Sequence, residues 1–232
     1  KKQAFRHRNE HLESMARVVS HNLPSPMAGL KMIMNIYDRM DTPEEKSELL
    51  DNFKAGSKVM FDMVDDFSEI LMDYRELVKD LEPLHLQTHL SNVQKQLASQ
   101  IKESGAIINA DFSKYPEVVY SRLFLESIFL NMISNSIKYA KPEQPPEIEI
   151  SSYLDNDLVM ISIKDNGIGI DLDRFGGDVF KMYKTFHGLQ DVDSKGVGLF
   201  ITKNQVEIMG GKIEIHSALD EGTQFYIELY RL

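Results

Sequence analysis

A seven-residue repeat of apolar side chains between residues 49 and 78 is the feature that most constrains how this chain can fold. Two rows of the repeat are offset by three residues: Phe53, Met60, Phe67 and Tyr74, and Leu49, Gly56, Met63, Ile70 and Leu77. Paired rows of this kind are typical of the seam of a coiled coil or a helical bundle. A third row at residues 50, 57, 64, 71 and 78 widens the apolar face beyond what two helices can bury.

A helix before this repeat completes a predicted helical hairpin. Its matching row is Leu12, Val19, Pro26, Ile33 and Met40. Thr42 and Pro43 lie between the two segments, where an N-cap and a first-turn proline favour the start of the second helix. The wide apolar face favours a homodimer whose two hairpins form a four-helix bundle. The alternative is a hairpin that packs on its own second domain. We assign residues 1–84 to this helical domain.

Composition narrows the classes of partner. The 232 residues include 36 acidic and 26 basic side chains, a formal net charge of −10. Because nucleic-acid binders neutralise phosphates, this balance argues against a nucleic-acid partner. The absence of cysteine excludes disulfides, thiolate metal sites and cysteine nucleophiles. No apolar run approaches the roughly 18 residues of a membrane span, and the sequence opens with Lys1 rather than Met. We expect a cytoplasmic piece of a longer protein, connected to a membrane only through an upstream segment, if at all.

From about residue 85 the pattern changes to mixed helices and strands. Residues 87–102 and 121–139 are predicted helices, the second capped by Ser121, and a further helix is expected after Gly198. Alternating apolar and polar residues predict antiparallel strands, the first two joined in a hairpin: residues 147–153, 158–164, 212–217 and 223–230. Residues 85–232 are therefore predicted to form an α+β domain in which helices cover one face of a sheet.

Two glycine-containing stretches could hold a nucleotide. Residues 165–170, Asp-Asn-Gly-Ile-Gly-Ile, follow a predicted strand. The glycines allow a ligand to approach the backbone closely, and the Asp165 carboxylate can accept a hydrogen bond from an exocyclic amine. Gly196 and Gly198 precede a helix, whose unpaired N–H groups favour phosphate. Taken singly, each stretch is equally consistent with an ordinary tight turn.

A third cluster lies on the predicted helix 121–139. Asn131, Asn135 and Lys138 recur at helical spacing, so two amides and an ammonium share one face. Amide oxygens suit Mg²⁺, lysine suits phosphate, and the ring of Tyr139 offers a stacking surface. Alone, the same pattern is also that of a solvated helix face.

In this order and spacing, the clusters resemble the ATP-binding domain of sensor histidine kinases, whose superfamily includes gyrase and a heat-shock chaperone. Residues 131–139 resemble the N box, residues 165–170 the first glycine box and residues 196–200 the second. Residues 180–184 resemble the F box of the ATP lid, and residues 222–225 match the closing G-T-x-F motif. The resemblance implies a Bergerat-type α/β sandwich over residues 85–232.

The resemblance also implies residue roles. Asp165 would recognise the adenine amino group, with Tyr139 flanking the ring, and Asn135 would coordinate Mg²⁺. Phosphate would be contacted by Asn131, Lys138 and Lys184. The pocket would be framed by Gly167, Gly169, Gly196 and Gly198, and Thr223 would support the adenine-side network. In the gyrase branch a glutamate at the position of Asn131 activates water. Because an amide cannot accept a proton, simple ATP hydrolysis is disfavoured.

The helical domain contains a segment that resembles the H box of the same family. His21 precedes Pro26 by five residues, the spacing of the phosphorylated histidine in that motif. Within the heptad pattern His21 lies outside the seam, so its neutral imidazole could attack the γ-phosphorus of ATP. Asn22 stands where the family usually has Glu or Asp. Ser25 stands where it has a Thr or Asn associated with phosphatase activity.

These features predict a dimeric histidine kinase core that uses Mg-ATP to phosphorylate His21. The phosphoryl group would then pass to an aspartate of a response-regulator receiver domain. Asn22 and Ser25 keep open a second interpretation, a degenerate kinase that docks receivers or acts as a phosphatase without phosphorylating itself.

Overall fold

The computed structural model describes residues 24–37, 42, 46–47, 49–54, 56–58, 81–181 and 198–229. The chain divides into two compact units, Lys1–Met72 and Asp73–Leu232. The second unit includes the strand Leu81–His85, which crosses the boundary expected between residues 84 and 85. Among the described residues, no helix combines the length and apolar character that a membrane crossing requires.

The first unit contains two helical segments in contact. Helix α1 covers Pro24–Tyr37, and residues 46–47, 49–54 and 56–58 are also helical. The N–H of Lys46 donates to the carbonyl of Thr42 at 3.2 Å, as expected if Thr42 is the N-cap of the second segment. A Cβ on Gly56 would lie 3.0 Å from the side chain of Leu30, so the two segments approach closely there.

The second unit is an α+β domain, as predicted. Its elements in chain order are β1 (Leu81–His85), α2 (Leu86–Gln96), α3 (Ala98–Ser104), β2 (Ile107–Asp111), β3 (Glu117–Ser121), α4 (Arg122–Lys138), β4 (Glu147–Asp155), β5 (Leu158–Asp165), α5 (Leu172–Phe175), α6 (Gly198–Ile208), β6 (Lys212–Ala218) and β7 (Gly222–Leu229). Five strands form a sheet in the order β2-β4-β5-β7-β6, while β1 and β3 pair separately.

One face of the large sheet packs against the helices. Ile148, Ile150, Ile161, Ile163 and Ile227 alternate along their strands and are almost completely buried. The buried residues of α4 include Phe124, Ile128 and Met132, which recur every four residues, so one side of this helix lies in the same core. The core therefore fixes α4 relative to β5, and these two elements carry most of the described site.

The four predicted strands and the hairpin between the first two are confirmed. Asp155 pairs with Leu158, and the two turn residues Asn156 and Asp157 have φ values of 47° and 67°. Both residues in the left-handed region are typical of the tight hairpin turn whose twist matches its strands.

Other details differ from the sequence-based expectations. The sheet is mixed, because β2 pairs with β4 in parallel. The predicted helix 87–102 is interrupted at Leu97, and Ser121 occupies the N-cap of α4 without a side-chain capping bond. Strands β1, β2 and β3 were not predicted. Each has only five residues, too few for a clear alternating pattern. Strand β1 also contains Pro83, which is tolerated because β1 is an edge strand that pairs only with β3.

Candidate functional site

The carboxylate of Asp165 ends β5 and is held by three donors. Its Oδ1 accepts from the backbone N–H of Gly167 at 2.9 Å and from that of Thr223 at 3.2 Å. The Ser136 hydroxyl lies 3.2 Å from Oδ2 and 3.0 Å from the carbonyl oxygen of Met132. Because a carboxylate oxygen can accept two hydrogen bonds and Ser136 can donate at most one to Oδ2, Oδ2 keeps acceptor capacity for a further donor.

Burial raises the pKa of Asp165 above its ordinary value, because the surroundings withdraw water from the charged form. The hydrogen bonds from Gly167, Thr223 and Ser136 act in the opposite direction, since they stabilise the carboxylate. An additional donor at Oδ2 would stabilise the charged form further. The site is therefore suited to a ligand that offers an N–H group.

The turn after β5 requires glycine at two positions. Gly169 has a φ of +68°, and a Cβ there would lie 1.8 Å from the carbonyl oxygen of Ala218. A Cβ on Gly167 would lie 2.6 Å from the carbonyl oxygen of Tyr139. That same carbonyl accepts from the N–H of Ile168 at 3.0 Å. The backbone of this turn therefore lies closer to its neighbours than any side chain would allow.

Ser217 connects this turn to β7. Its Oγ accepts from the N–H of Ile170 at 2.8 Å and donates to the carbonyl of Gly222 at 2.8 Å. The Thr223 hydroxyl lies 2.9 Å from the same Oγ. Because Ser217 has already donated its proton, Thr223 is the donor of this third bond. The network fixes the side chain of Thr223, whose own backbone N–H donates to Asp165.

The polar face of α4 meets the N-terminus of α6. A Cβ on Gly198 would lie 3.5 Å from Asn131 Oδ1 and 3.9 Å from Asn135 Nδ2. Lys138 follows on α4, with its Nζ 6.0 Å from the ring centroid of Tyr139. Helix N-termini favour anions, and amides and lysine are common phosphate ligands. The structure thus brings together two amides and a helix N-terminus, with an ammonium within one helical turn of Asn135.

The sequence reasoning assigned no role to three residues of this region: Ser136, Ser217 and Thr202. Ser136 hydrogen-bonds to Asp165, and Ser217 accepts from the N–H of Ile170 in the glycine turn. Gly222, the glycine of the predicted G-T-x-F motif, has a φ of +87° and no room for a Cβ. Thr202 is fully buried and accepts from Asn131 Nδ2 at 3.4 Å. The only sequence signal for the first was its position beside Asn135. The others depend on which strands and helices pack together.

Several predicted site residues lie outside the described residues: His21, Asn22, Lys184 and Gly196. Ser25 belongs to α1, but its side chain is not among the described ones. Their roles remain predictions.

The part of the chain that contains the described site also matches a known protein family. Residues 120–231 match the family described as histidine kinase-, DNA gyrase B- and HSP90-like ATPases. This match covers a little less than half of the chain. All the described site residues, from Asn131 to Thr223, lie within the residues that this family matches.

The similarity to individual proteins extends beyond the ATPase domain. The chain is 29% identical to cyanobacterial phytochrome A of Nostoc sp., over 95% of this chain and 29% of that protein. The chain therefore spans less than a third of this curated relative.

Solved structures show the same fold. The histidine kinase AdeS of Acinetobacter baumannii superimposes with a TM-score of 0.60 at 19% identity, covering 90% of this chain and 97% of AdeS. Full-length ShkA in complex with AMPPNP superimposes with a TM-score of 0.61 at 21% identity, covering 94% of this chain and 45% of ShkA.

Proposed function

We propose that this chain is the catalytic core of a sensor histidine kinase, which uses Mg-ATP to phosphorylate His21 and then phosphorylates a receiver-domain aspartate. The observation that carries the proposal is the Asp165 carboxylate, held by Gly167, Thr223 and Ser136 with acceptor capacity left at Oδ2. The match of residues 120–231 to the ATPase family supports it.

The adenine would bind at Asp165. Its exocyclic amine would donate to Oδ2, while Gly167 and Gly169 leave the turn free of side chains that would block the base. Tyr139 would flank the ring, and Thr223 would hold the adenine side through its backbone bond to Asp165. Guanine presents a carbonyl at the position of the adenine amine, so this arrangement favours ATP over GTP.

The triphosphate would bind where α4 meets α6. Asn131, Lys138 and the N–H groups at Gly198 would contact phosphate oxygens, together with Lys184 and Gly196. The described residues contain no group of three or more acidic or histidine side chains that could hold a metal. Mg²⁺ retains water and phosphate ligands readily, so the single amide oxygen of Asn135 fits it. The ion would neutralise charge on the triphosphate.

His21 would be the nucleophile. The lone pair of one ring nitrogen would form the P–N bond as the bond from the γ-phosphorus to the bridging oxygen breaks and ADP leaves. The proton on the other ring nitrogen would be held by the amide oxygen of Asn22, which fixes the tautomer. Ser25 would be positioned one turn further to orient water if the phosphohistidine is hydrolysed.

A homodimer would cover apolar surface on the first unit. Several large apolar side chains are between 41% and 64% exposed in the single chain: Met27, Met32, Met34, Tyr37 and Leu50. Exposed apolar surface of this density on helices favours association, and a second hairpin would bury it in a four-helix bundle.

Incubation with γ-labelled ATP followed by acid treatment tests the proposal. Acid-labile label on the protein is expected, and His21→Gln should abolish it while His11→Gln, in the same segment, should not. Released phosphate without labelled protein would indicate an ATPase. Neither product, with ATP still bound, would indicate the degenerate module, and a purified receiver domain added to labelled protein tests the second transfer.

A further inference from the structure

Three chain segments that are distant in sequence are joined around the glycine turn. Ile168 donates to the carbonyl of Tyr139 at the end of α4, and its own carbonyl accepts from the N–H of Asp220 at 2.9 Å. Asp220 lies in the turn between β6 and β7. The turn that follows Asp165 is therefore held on one side by the segment after α4 and on the other by the β6–β7 hairpin.

Lys141 closes this arrangement. It lies two residues after Tyr139, and its Nζ donates to the carbonyl oxygen of Asp220 at 2.5 Å. The circuit thus runs from Tyr139 through Ile168 and Asp220 to Lys141 and back to Tyr139 along the chain. Each link is a hydrogen bond to a main-chain atom, so the circuit fixes backbone positions rather than side-chain rotamers.

The Asp220 backbone is in a conformation that hydrogen bonds from its surroundings can stabilise. Its φ of 61° lies in the left-handed region, which aspartate and asparagine adopt more readily than other residues with a side chain but less readily than glycine. A lysine bonded to its carbonyl stabilises that conformation, and the Asp220 N–H then remains directed at Ile168. Gly222 and Thr223, which contact Asp165, belong to the same β6–β7 hairpin as Asp220.

We propose that Lys141 is a positioning residue for nucleotide binding, which holds the β6–β7 hairpin against the glycine turn through the main-chain carbonyl of Asp220. The inference rests on the proposed function, because it assigns Lys141 to the site around Asp165. Lys141 acts on the base end of that site, so its loss should weaken ATP binding without slowing phosphoryl transfer once ATP is bound.

Lys141→Met tests the proposal, because it keeps most of the apolar stem and removes the donor. We expect the Kd and KM for ATP to rise about 3- to 10-fold, with the rate of labelling at saturating ATP within about twofold of the parent. Amide exchange of Asp220 in the nucleotide-free protein should accelerate by a similar factor of about 3 to 10. Lys141→Arg, which keeps a donor, should restore most of the affinity, and Lys102→Met serves as an exposed lysine control.

Asp220→Asn tests whether Lys141 acts through the main-chain carbonyl of Asp220 or through its side-chain carboxylate. Asparagine tolerates the left-handed region and keeps the carbonyl but loses the charge, so ATP affinity should stay near that of the parent. If Asp220→Asn weakened ATP binding as much as Lys141→Met does, the carbonyl contact would not be the one that matters. Unchanged ATP affinity in Lys141→Met, or no rescue by Lys141→Arg, would overturn the positioning role. Failure of the unmodified protein to bind ATP would instead overturn the proposed function, and is measured first.

Discussion

Asp165 and Thr223 are cross-strand partners in β5 and β7, and the N–H of Thr223 donates to the carboxylate of Asp165 at 3.2 Å. A residue at the end of one strand is thus held by the start of another that lies 58 positions away in the chain. Because a slip of one residue would turn the Asp165 side chain to the other face of the sheet, the register of β5 and β7 is a condition for the site.

Asp165→Asn should weaken ATP binding and stabilise the nucleotide-free protein at neutral pH. The amide removes the charged acceptor, at a cost of about 1.5 to 3 kcal/mol in ATP binding. Burial raises the pKa of Asp165 in the folded protein. Ionisation of this carboxylate therefore lowers the stability of the fold as the pH rises above the ordinary pKa of an aspartate. Calorimetry with ATP and GTP, and urea unfolding at several pH values, measure both effects.

The stability gain of Asp165→Asn should shrink as the pH falls toward about 4, because both folded and unfolded carboxyls then become protonated. Equal losses of affinity for ATP and GTP would mean that Asp165 only holds the turn. A gain in stability that does not depend on pH would contradict the role of its ionisation.

Gly169→Ala should destabilise the ATPase domain far more than Gly105→Ala. Both glycines have nearly the same φ, +68° and +67°, but a Cβ on Gly105 would have no heavy atom within 4 Å. We expect Gly105→Ala to lower the free energy of unfolding by about 1 to 2 kcal/mol through backbone strain alone. Gly169→Ala should lower it by at least about 3 kcal/mol, because its Cβ meets the Ala218 carbonyl. Similar urea midpoints for the two variants would show that the turn can move away from β6.

Leu50→Glu should convert the protein from dimer to monomer. Leu50 is 45% exposed in the single chain and lies on the third row of the heptad pattern. Burying this side chain between subunits would contribute about 1.5 to 3 kcal/mol per chain, which a carboxylate reverses. Asn52→Glu, two residues away and also exposed, is the matched control. Sedimentation velocity measures the change, and a dimeric Leu50→Glu protein would argue against the bundle.

Asn22→Asp should accelerate the labelling of His21. A carboxylate next to the histidine can hold the ring proton and stabilise the positive charge that develops during attack, whereas an amide offers no charge. Since such assistance contributes about 10²- to 10⁴-fold in enzymes, we expect at least about a tenfold faster single turnover at saturating ATP. Asn22→Ala should be slower than the parent protein. An Asp variant that is no faster would mean that proton transfer does not limit the reaction.

The sequence alone determined the elements whose patterns are local. Alternation of apolar residues predicted β4, β5, β6 and β7, because a half-buried strand must alternate whatever it pairs with. The grouping of Asn131, Asn135 and Lys138 followed from helical spacing. Asp165, Gly167 and Gly169 could be named only through the resemblance of all the motifs together, because a carboxylate followed by two glycines is equally typical of an ordinary tight turn.

Only the tertiary structure decided which distant residues complete the site. Ser136, Ser217 and Thr202 carry small hydroxyls that occur throughout ordinary helices and strands, so no local pattern distinguishes them. The parallel pairing of β2 with β4 and the bond from Lys141 to Asp220 likewise depend on contacts between segments far apart in the chain. The apolar periodicity of a sequence shows which face of each helix or strand is buried. Hydrogen bonds between elements exist only after the shared core has fixed their positions.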